Sequence, residues 1–373
     1  MIRHSQAWLG VAALLLGGSA LAQSGITVYG IVDVGAQWNE RFSSTTNRQE
    51  DVWSIDSGYQ SGSRFGFRGA EPLGGGTSAI FALEGGFSTD TGMSTQDALF
   101  GRQAWLGLQG GWGTLVAGRI ATPSSGTGTY DVFSAVDPFG AGFGLNQLGS
   151  TFVAANALRE DNMVLYVTPA LGGFKASAGY SFNRSGAETA PQGSNSGAVT
   201  LAASFGAGPF YGVITYDVLG YPDPGSATAN PGRPNEKLLQ IGATFDMKFV
   251  KLYAAYADQG NISAVRSRVS IAPPSGVTAY DNSAWMLGVT VPVGAAKLIA
   301  SYQSADGDSV TYQSATGAAQ FEPDYSAWGL GIEYTLSRRT NLYLGYGQVS
   351  ADGTLSPTQV DQKQFGLGMR HRF

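Results

Sequence analysis

Apolar and polar residues alternate along the stretch 363–373. One face of a strand over this stretch carries five mostly apolar side chains, Phe365, Leu367, Met369, His371 and Phe373. The opposite face carries glycines and polar residues, because successive strand side chains point to opposite sides of a sheet. This pattern is typical of a strand with lipid on one side and water on the other. It predicts the closing strand of an outer-membrane β-barrel.

The segment 27–37 shows the same period. Its outward positions are small and apolar, namely Val28, Gly30, Val32, Val34 and Ala36. Its inward positions are largely polar and include one carboxylate, Asp33. Apolar-out and polar-in alternation favours a barrel wall around a wet interior.

Similar alternation recurs along the rest of the chain. With 27–37, the predicted strands number sixteen, at 63–71, 77–87, 100–109, 114–119, 161–168, 174–182, 198–205, 210–218, 237–247, 250–258, 283–291, 296–306, 325–336, 340–350 and 363–373. The even number places both ends of the barrel wall at one rim. The fold class predicted is all-β, a transmembrane 16-stranded antiparallel β-barrel.

The predicted connections alternate between short and long. Tight turns rich in Gly and Pro, such as 72–76 and 292–295, alternate with long polar segments, such as 39–62 and 307–324. Short periplasmic turns and long extracellular loops are typical of outer-membrane barrels. Long loops alone would also allow a soluble β-sandwich, which the two ends of the sequence disfavour.

One predicted connection is far longer than the others. Residues 120–158 lack alternation and contain Asp131 and Asp137. A 16-stranded barrel encloses a lumen wide enough for an aqueous channel. We therefore expect this segment, poor in charge and rich in Gly and Ala, to fold into the lumen and narrow it.

The N-terminal residues and the composition agree with export. Residues 1–22 combine a basic start, an apolar run and an Ala-Leu-Ala site, which predicts a signal peptide cleaved after Ala22 and a single barrel domain over 23–373. Cys is absent and Gly occurs 54 times, about twice the usual share of roughly 7%. Without Arg3 the chain has 21 Lys and Arg against 27 Asp and Glu, a formal charge of −6. Nothing in this balance suggests a nucleic-acid partner.

Catalytic chemistry finds little support in the residue types. His371 is the only histidine after the predicted cleavage site, and a Ser-His-Asp hydrolase needs a histidine beside a serine. The sequence contains neither HExxH nor any Cys, so it has no zinc-ligand spacing. We predict no enzyme activity, no cofactor and no metal site.

Six motifs and the terminal Phe373 resemble one family, the trimeric general porins of Gram-negative outer membranes. The motifs follow each other in family order over almost the whole chain: TVYGIVDVG at 27–35, GSRFGFRG at 62–69, LGGGTSAIFALE at 73–84, FGRQAWLGL at 100–108, GTLVAGR at 113–119 and DNMVLY at 161–166. The resemblance implies a homotrimer in which each barrel has its own pore, with outer-membrane lipids around it. It also implies that 120–158 is the third extracellular loop, folded inward as the constriction loop.

In such porins a cluster of wall arginines faces loop carboxylates across a narrow passage. By its motifs, the resemblance implies the wall residues Arg64, Arg102, Arg119 and Arg159, with Glu84 near them and Asp131 and Asp137 opposite. Phe373 resembles the terminal signal that the insertion machinery reads. Strand parity independently directs Arg64 to the lumen, because arginine at the lipid-facing midplane costs roughly 2–4 kcal/mol. The parity of Arg102 and Arg119 does not decide which way they face.

Three function classes remain from the sequence. A passive water-filled pore for small hydrophilic solutes and ions comes first, a substrate-selective channel second, and an adhesin or structural barrel third. The long loops are acidic, whereas the predicted constriction is basic. Charges at the narrowest point are screened least, so we expect a modest preference for anions.

Overall fold

The computed structural model describes residues 25–43, 48–155, 158–223, 233–262, 265–266, 270–271, 274, 276–314, 317–352 and 361–373. The predicted signal peptide, 1–22, lies outside the described residues. Among those described, no helix is both long enough and apolar enough to cross a membrane.

Sixteen wall strands, numbered β1 to β16, form one antiparallel sheet in the described part of the chain. They are β1 Ile26–Ser43, β2 in two segments Arg48–Ser57 and Arg64–Gly74, β3 Thr77–Phe87, β4 Gln103–Gly110, β5 Gly113–Ala121, β6 Arg159–Val167, β7 Phe174–Ser181, β8 Ala198–Ala207, β9 Phe210–Leu219, β10 Glu236–Asp246, β11 Lys251–Ile262, β12 Tyr280–Val293, β13 Ala296–Gly307, β14 Asp324–Thr335, β15 Thr340–Asp352 and β16 Gln362–Arg372. Each pairs with the next, and β16 pairs with β1, with Met369 opposite Val34. The predicted 16-stranded antiparallel barrel is confirmed.

The connections alternate between the two rims. Tight turns such as 208–209 and 294–295 join strands at one rim, where β1 also begins and β16 ends. The opposite rim carries the longer connections, including a short hairpin of Val310–Ser314 and Gly317–Phe321. The two rims are called the tight-turn rim and the loop rim below.

Two parts of one predicted loop are strand segments. The sequence predicted a polar loop over 39–62, but β1 continues to Ser43 and pairs with Arg48–Ser57, Trp38 lying opposite Trp53. The prediction was wrong because it required an apolar face. This hairpin carries charges on both faces, and its strands are joined by backbone pairing and by a hydrogen bond from Trp38 Nε1 to Asp51 Oδ2 at 3.1 Å.

The two faces of the wall differ as the alternation predicts. On β10, Gln240 and Thr244 are buried inside, whereas Ile241 and Phe245 leave 45% of their surface exposed outside. The outer face of the seam is closed by Phe373, whose ring lies where a Cβ at Gly30 would be, 2.3 Å from its Cζ. The backbone of Phe373 also bonds that of Gly30 in both directions.

Candidate functional site

Glu84 on β3 gathers two of the four predicted arginines on the inner wall. Its Oε1 accepts a hydrogen bond from Arg102 Nε at 2.7 Å and lies 3.9 Å from Arg64 Nη1. Its Oε2 accepts a hydrogen bond from Tyr29 of β1 at 3.0 Å. Both oxygens therefore face cations or a donor, which fixes the two guanidinium groups on one side of the lumen.

Arg119 and Arg159 extend this group across β5 and β6. Arg159 interacts electrostatically with Arg102, Arg64 and Arg119 and with Glu84, so the four arginines lie close together. Arg119 forms a salt bridge with Asp161, a residue that the sequence analysis missed, and donates to the carbonyl of Gly101 at 2.7 Å. Four positive charges with two carboxylates leave the group, called the arginine wall below, with a surplus of two.

Local irregularities explain why strand parity failed for two of these arginines. Arg102 lies just before β4, so strand alternation does not apply to it. Arg119 follows Gly118, whose φ of 139° is a conformation that side chains other than glycine rarely adopt. The pairing of β5 with β6 shifts register there, which is a bulge that turns Arg119 inward.

Residues 122–155, called the inner loop below, pack against the inner face of β9 to β16. Wall glycines leave room for it. At four of them a Cβ would lie 2.7 Å from Val136 (Gly242), 2.6 Å from Pro138 (Gly288), 2.8 Å from Phe139 (Gly331) and 2.9 Å from Phe143 (Gly345). These four positions are called the glycine floor. Side chains there would occupy the space that the loop fills.

Inward glutamines hold the backbone of the inner loop. Gln259 Nε2 donates to Thr151 O at 3.0 Å, and Gln303 Nε2 donates to Gln147 O at 3.1 Å. Gln364 Oε1 accepts from Leu145 N–H at 3.0 Å. Each such bond contributes about 0.5–1.5 kcal/mol net, and a buried loop backbone needs these partners. Polar residues at inward strand positions were the available signal, but the sequence analysis did not assign them.

The two loop aspartates have loop amides as partners. Asp137 accepts hydrogen bonds from the N–H groups of Phe139, Ala141 and Leu148 at 2.8–3.0 Å. Asp131 accepts from Gly126, Phe133 and Ser134 at 2.9–3.1 Å. Burial raises the pKa of both carboxyls to about 6, outweighing the opposite effect of these hydrogen bonds.

The structure therefore brings the four arginines and Glu84 together, but it does not bring either aspartate into contact with them. Within the described residues, neither Asp131 nor Asp137 forms a salt bridge. Where the loop meets the arginine wall it presents a hydroxyl, since Arg102 Nη2 donates to Thr127 Oγ1 at 3.5 Å. A role for the aspartates at the constriction stays a prediction. Their hydrogen bonds to loop N–H groups stabilise the conformation of the loop.

A second segment, which the sequence analysis missed entirely, also enters the lumen. Residues 58–63, between the two segments of β2, place the buried Tyr59 against Phe143 of the inner loop and Tyr343 of β15. Tyr59 O accepts from Gly144 N–H at 3.2 Å. This segment, called the excursion below, closes the space between the inner loop and the seam strands β15, β16 and β1.

A known protein family and individual proteins resemble this chain over most of its length. The sequence pattern of the Gram-negative porins matches residues 9–354. An outer membrane porin protein of Bordetella pertussis is 34% identical, over 97% of this chain and 98% of that protein. Outer membrane porin protein 32 of Delftia acidovorans is 29% identical, over 98% and 99%. The chain belongs to the Gram-negative porin family.

Solved structures share the porin fold. An anion-selective porin from Comamonas acidovorans superposes with a TM-score of 0.71 at 21% identity, covering 94% of this chain and 100% of that chain. A trimer form of OmpT from Vibrio cholerae gives 0.62 at 16% identity, covering 94% and 99%. This porin is thus a transmembrane β-barrel of the outer membrane, in a family of channels rather than of enzymes.

Proposed function

We propose that this porin is a passive, water-filled channel for small hydrophilic solutes and ions, driven only by their gradients. The observation that carries the proposal is the placement of the inner loop. It lies on the glycine floor of one half of the wall, and the arginine wall lies on the other half. Solutes then cross between this basic wall and the inner loop, and no chemical step takes place.

The narrow passage favours anions modestly in this proposal. The arginine wall has a surplus of two positive charges, while the loop carboxylates are occupied by loop amides. The acidic loops at the loop rim are farther from the passage, and their charges are screened over about 8 Å at physiological salt. The fold similarity to an anion-selective porin agrees with this sign.

The chain functions as a homotrimer in the outer membrane in this proposal, after residues 1–22 are removed as a signal peptide. The outer face near the seam supports it, because Val28 and Ile26 of β1 expose 57% and 66% of their surface there. Phe373 closes that face over Gly30, and it serves as the assembly signal.

Planar-bilayer recording tests the channel. The purified folded protein should give stepwise, roughly ohmic currents in KCl, and reversal potentials across a KCl gradient should show chloride preferred. A folded barrel that conducts nothing would contradict the channel and favour an adhesin or structural barrel. A clear potassium preference would refute the proposed selectivity alone.

A further inference from the structure

A second group of basic side chains lines a cavity that the arginine wall does not include. The cavity has a volume of about 480 Å³ and lies between residues 134–140 of the inner loop and the strands β11 and β13 to β16, toward the tight-turn rim. Among the described residues it is lined by six basic side chains, Lys251, Lys297, Arg338, Arg339, Arg370 and Arg372.

The acidic groups at this cavity do not balance its positive charge. Glu333 is the neighbour of Lys297 Nζ at 2.8 Å and of Arg370 Nη2 at 3.9 Å. The carboxylate of Asp137 accepts three loop N–H groups. Against six cations these two carboxylates leave a surplus of four charges.

Four of the six cations keep donors for a ligand. Within the described residues, Lys251, Arg338, Arg339 and Arg372 take part in none of the salt bridges. Lys251 lies 4.7 Å from the ring centre of Tyr253, and its neighbour Asp246 has Lys248 at 3.9 Å. These cations come from β11, β16 and the turn between β14 and β15, so they surround the cavity from different sides.

The remaining lining supplies neutral hydrogen-bond partners. Tyr253, Thr335, Ser337, Thr340 and Asn341 line the same cavity. Arg370 is held in place, since its Nε donates to Asn341 Oδ1 at 3.1 Å and its Nη1 to Ser61 Oγ at 2.9 Å. A cavity with several fixed or converging cations, hydroxyls and little carboxylate suits a compact oxyanion that carries more than one charge and several acceptor oxygens.

We propose that this cavity is a second anion site, which holds multivalent oxyanions of the phosphate class between the constriction and the tight-turn rim. The proposal rests on the channel function proposed above. A monovalent anion crosses both basic regions quickly, whereas a dianion pauses at the second. The porin then conducts chloride freely but is transiently occupied by phosphate-like solutes.

The test is block of the KCl current by inorganic phosphate at neutral pH, in single channels at about physiological ionic strength, where the Debye length is about 8 Å. Phosphate should lower the wild-type current saturably, and acetate, with one charge, should not. Lys251→Gln combined with Arg372→Gln should raise the half-blocking phosphate concentration about tenfold, since it removes two charged donors. Glu333→Gln should lower that concentration, since it removes a competing carboxylate.

A matched double variant separates a site from general lumen charge. Lys175→Gln with Arg68→Gln also removes two cations from the tight-turn half of the inner wall, but neither residue lines the cavity. It should change the half-blocking concentration less than about twofold, because more distant charges are screened. Gel migration before and after heating verifies that each variant is a folded barrel.

Each other outcome overturns the inference. Wild-type channels that conduct KCl normally without saturable phosphate block show that no such site exists, and the channel function stands. Equal shifts in the two double variants show an effect of total charge. If phosphate block is lost in the double variant Arg64→Ser with Arg102→Ser but kept in Lys251→Gln with Arg372→Gln, the site lies at the constriction. Absence of any KCl conductance contradicts the channel function itself.

Discussion

Glu84 shows how a single carboxylate can order a basic surface without neutralising it. Its two oxygens hold Arg102 and Tyr29, and Arg64 is nearby at 3.9 Å. The cluster would otherwise suffer repulsion among four arginines. With Glu84 and Asp161 in place, a smaller and fixed positive charge remains on the wall.

The arginine wall yields the first prediction. Arg64→Ser combined with Arg102→Ser should lower the chloride-to-potassium permeability ratio roughly threefold, because two weakly screened charges leave the passage. The single-channel conductance should rise, since two long side chains are shortened. Reversal potentials and current steps measure both quantities, with Lys175→Ser as the control outside the arginine wall. If neither quantity changes, these arginines do not line the constriction.

The loop aspartates give a pH dependence with a definite sign. Their pKa values of about 6 mean that both lose negative charge as the pH falls through 6, whereas the arginines stay charged. The passage then becomes more positive, so the anion preference should rise below pH 6. Reversal potentials recorded on both sides of that pH measure the change. Asp131→Asn with Asp137→Asn should remove most of it, and an unaltered pH profile in that variant would assign the titration to other groups.

Residue-scale prediction from the sequence was uneven for a physical reason. Arg64 could be assigned because a membrane penalises one of two strand faces. The partners of Asp131 and Asp137 could not, because an aspartate that accepts nearby N–H groups and one that pairs with a distant arginine have the same sequence signature. Asp161 was missed because its partner, Arg119, depends on a bulge that strand alternation does not reveal.

At the scale of elements, alternation located the strands well. The predicted segment 77–87 coincides with β3, and 296–306 ends one residue before β13 does. Alternation failed where lipid no longer imposes it, in Arg48–Ser57. The excursion was also out of reach, because Tyr59 and Gln60 contact residues more than two hundred positions away, such as Asn341 and Tyr343.

The position of the inner loop depends on the absence of side chains at the glycine floor. Gly242→Val with Gly288→Val should push Val136 and Pro138 toward the arginine wall and lower single-channel conductance roughly twofold, since overpacking forces the backbone to shift. The barrel itself should remain folded, so its migration on gels should still change on heating. Gly206→Val is the control, because its Cβ would meet Tyr211 at an ordinary 3.7 Å. Conductance equal to wild type would show that the loop does not narrow the pore.

At the scale of the whole molecule, the exposed apolar outer face at the seam predicts assembly into a trimer. Unheated detergent samples should migrate as a trimer and boiled samples as a monomer. Val28→Arg should shift unheated samples toward monomer, because it places a charge in an apolar contact. Leu298→Arg is the matched control: Leu298 is the third residue of β13, as Val28 is of β1, and exposes 42% of its surface. Equal loss of trimer in both variants would place the contact elsewhere or make the effect nonspecific.

The excursion also bears on the order of events during folding. Tyr59 lies between the two segments of β2, yet it packs over Gly366 of β16 and Gly345 of β15, on the far side of the seam. Those contacts require β16 to have joined β1, and so does the bond from Leu145 N–H of the inner loop to Gln364 Oε1 of β16. The inner loop therefore reaches its final position only after the last strand has closed the ring. We expect the barrel wall to close first and the width of the bore to be set afterwards, as the last step of folding.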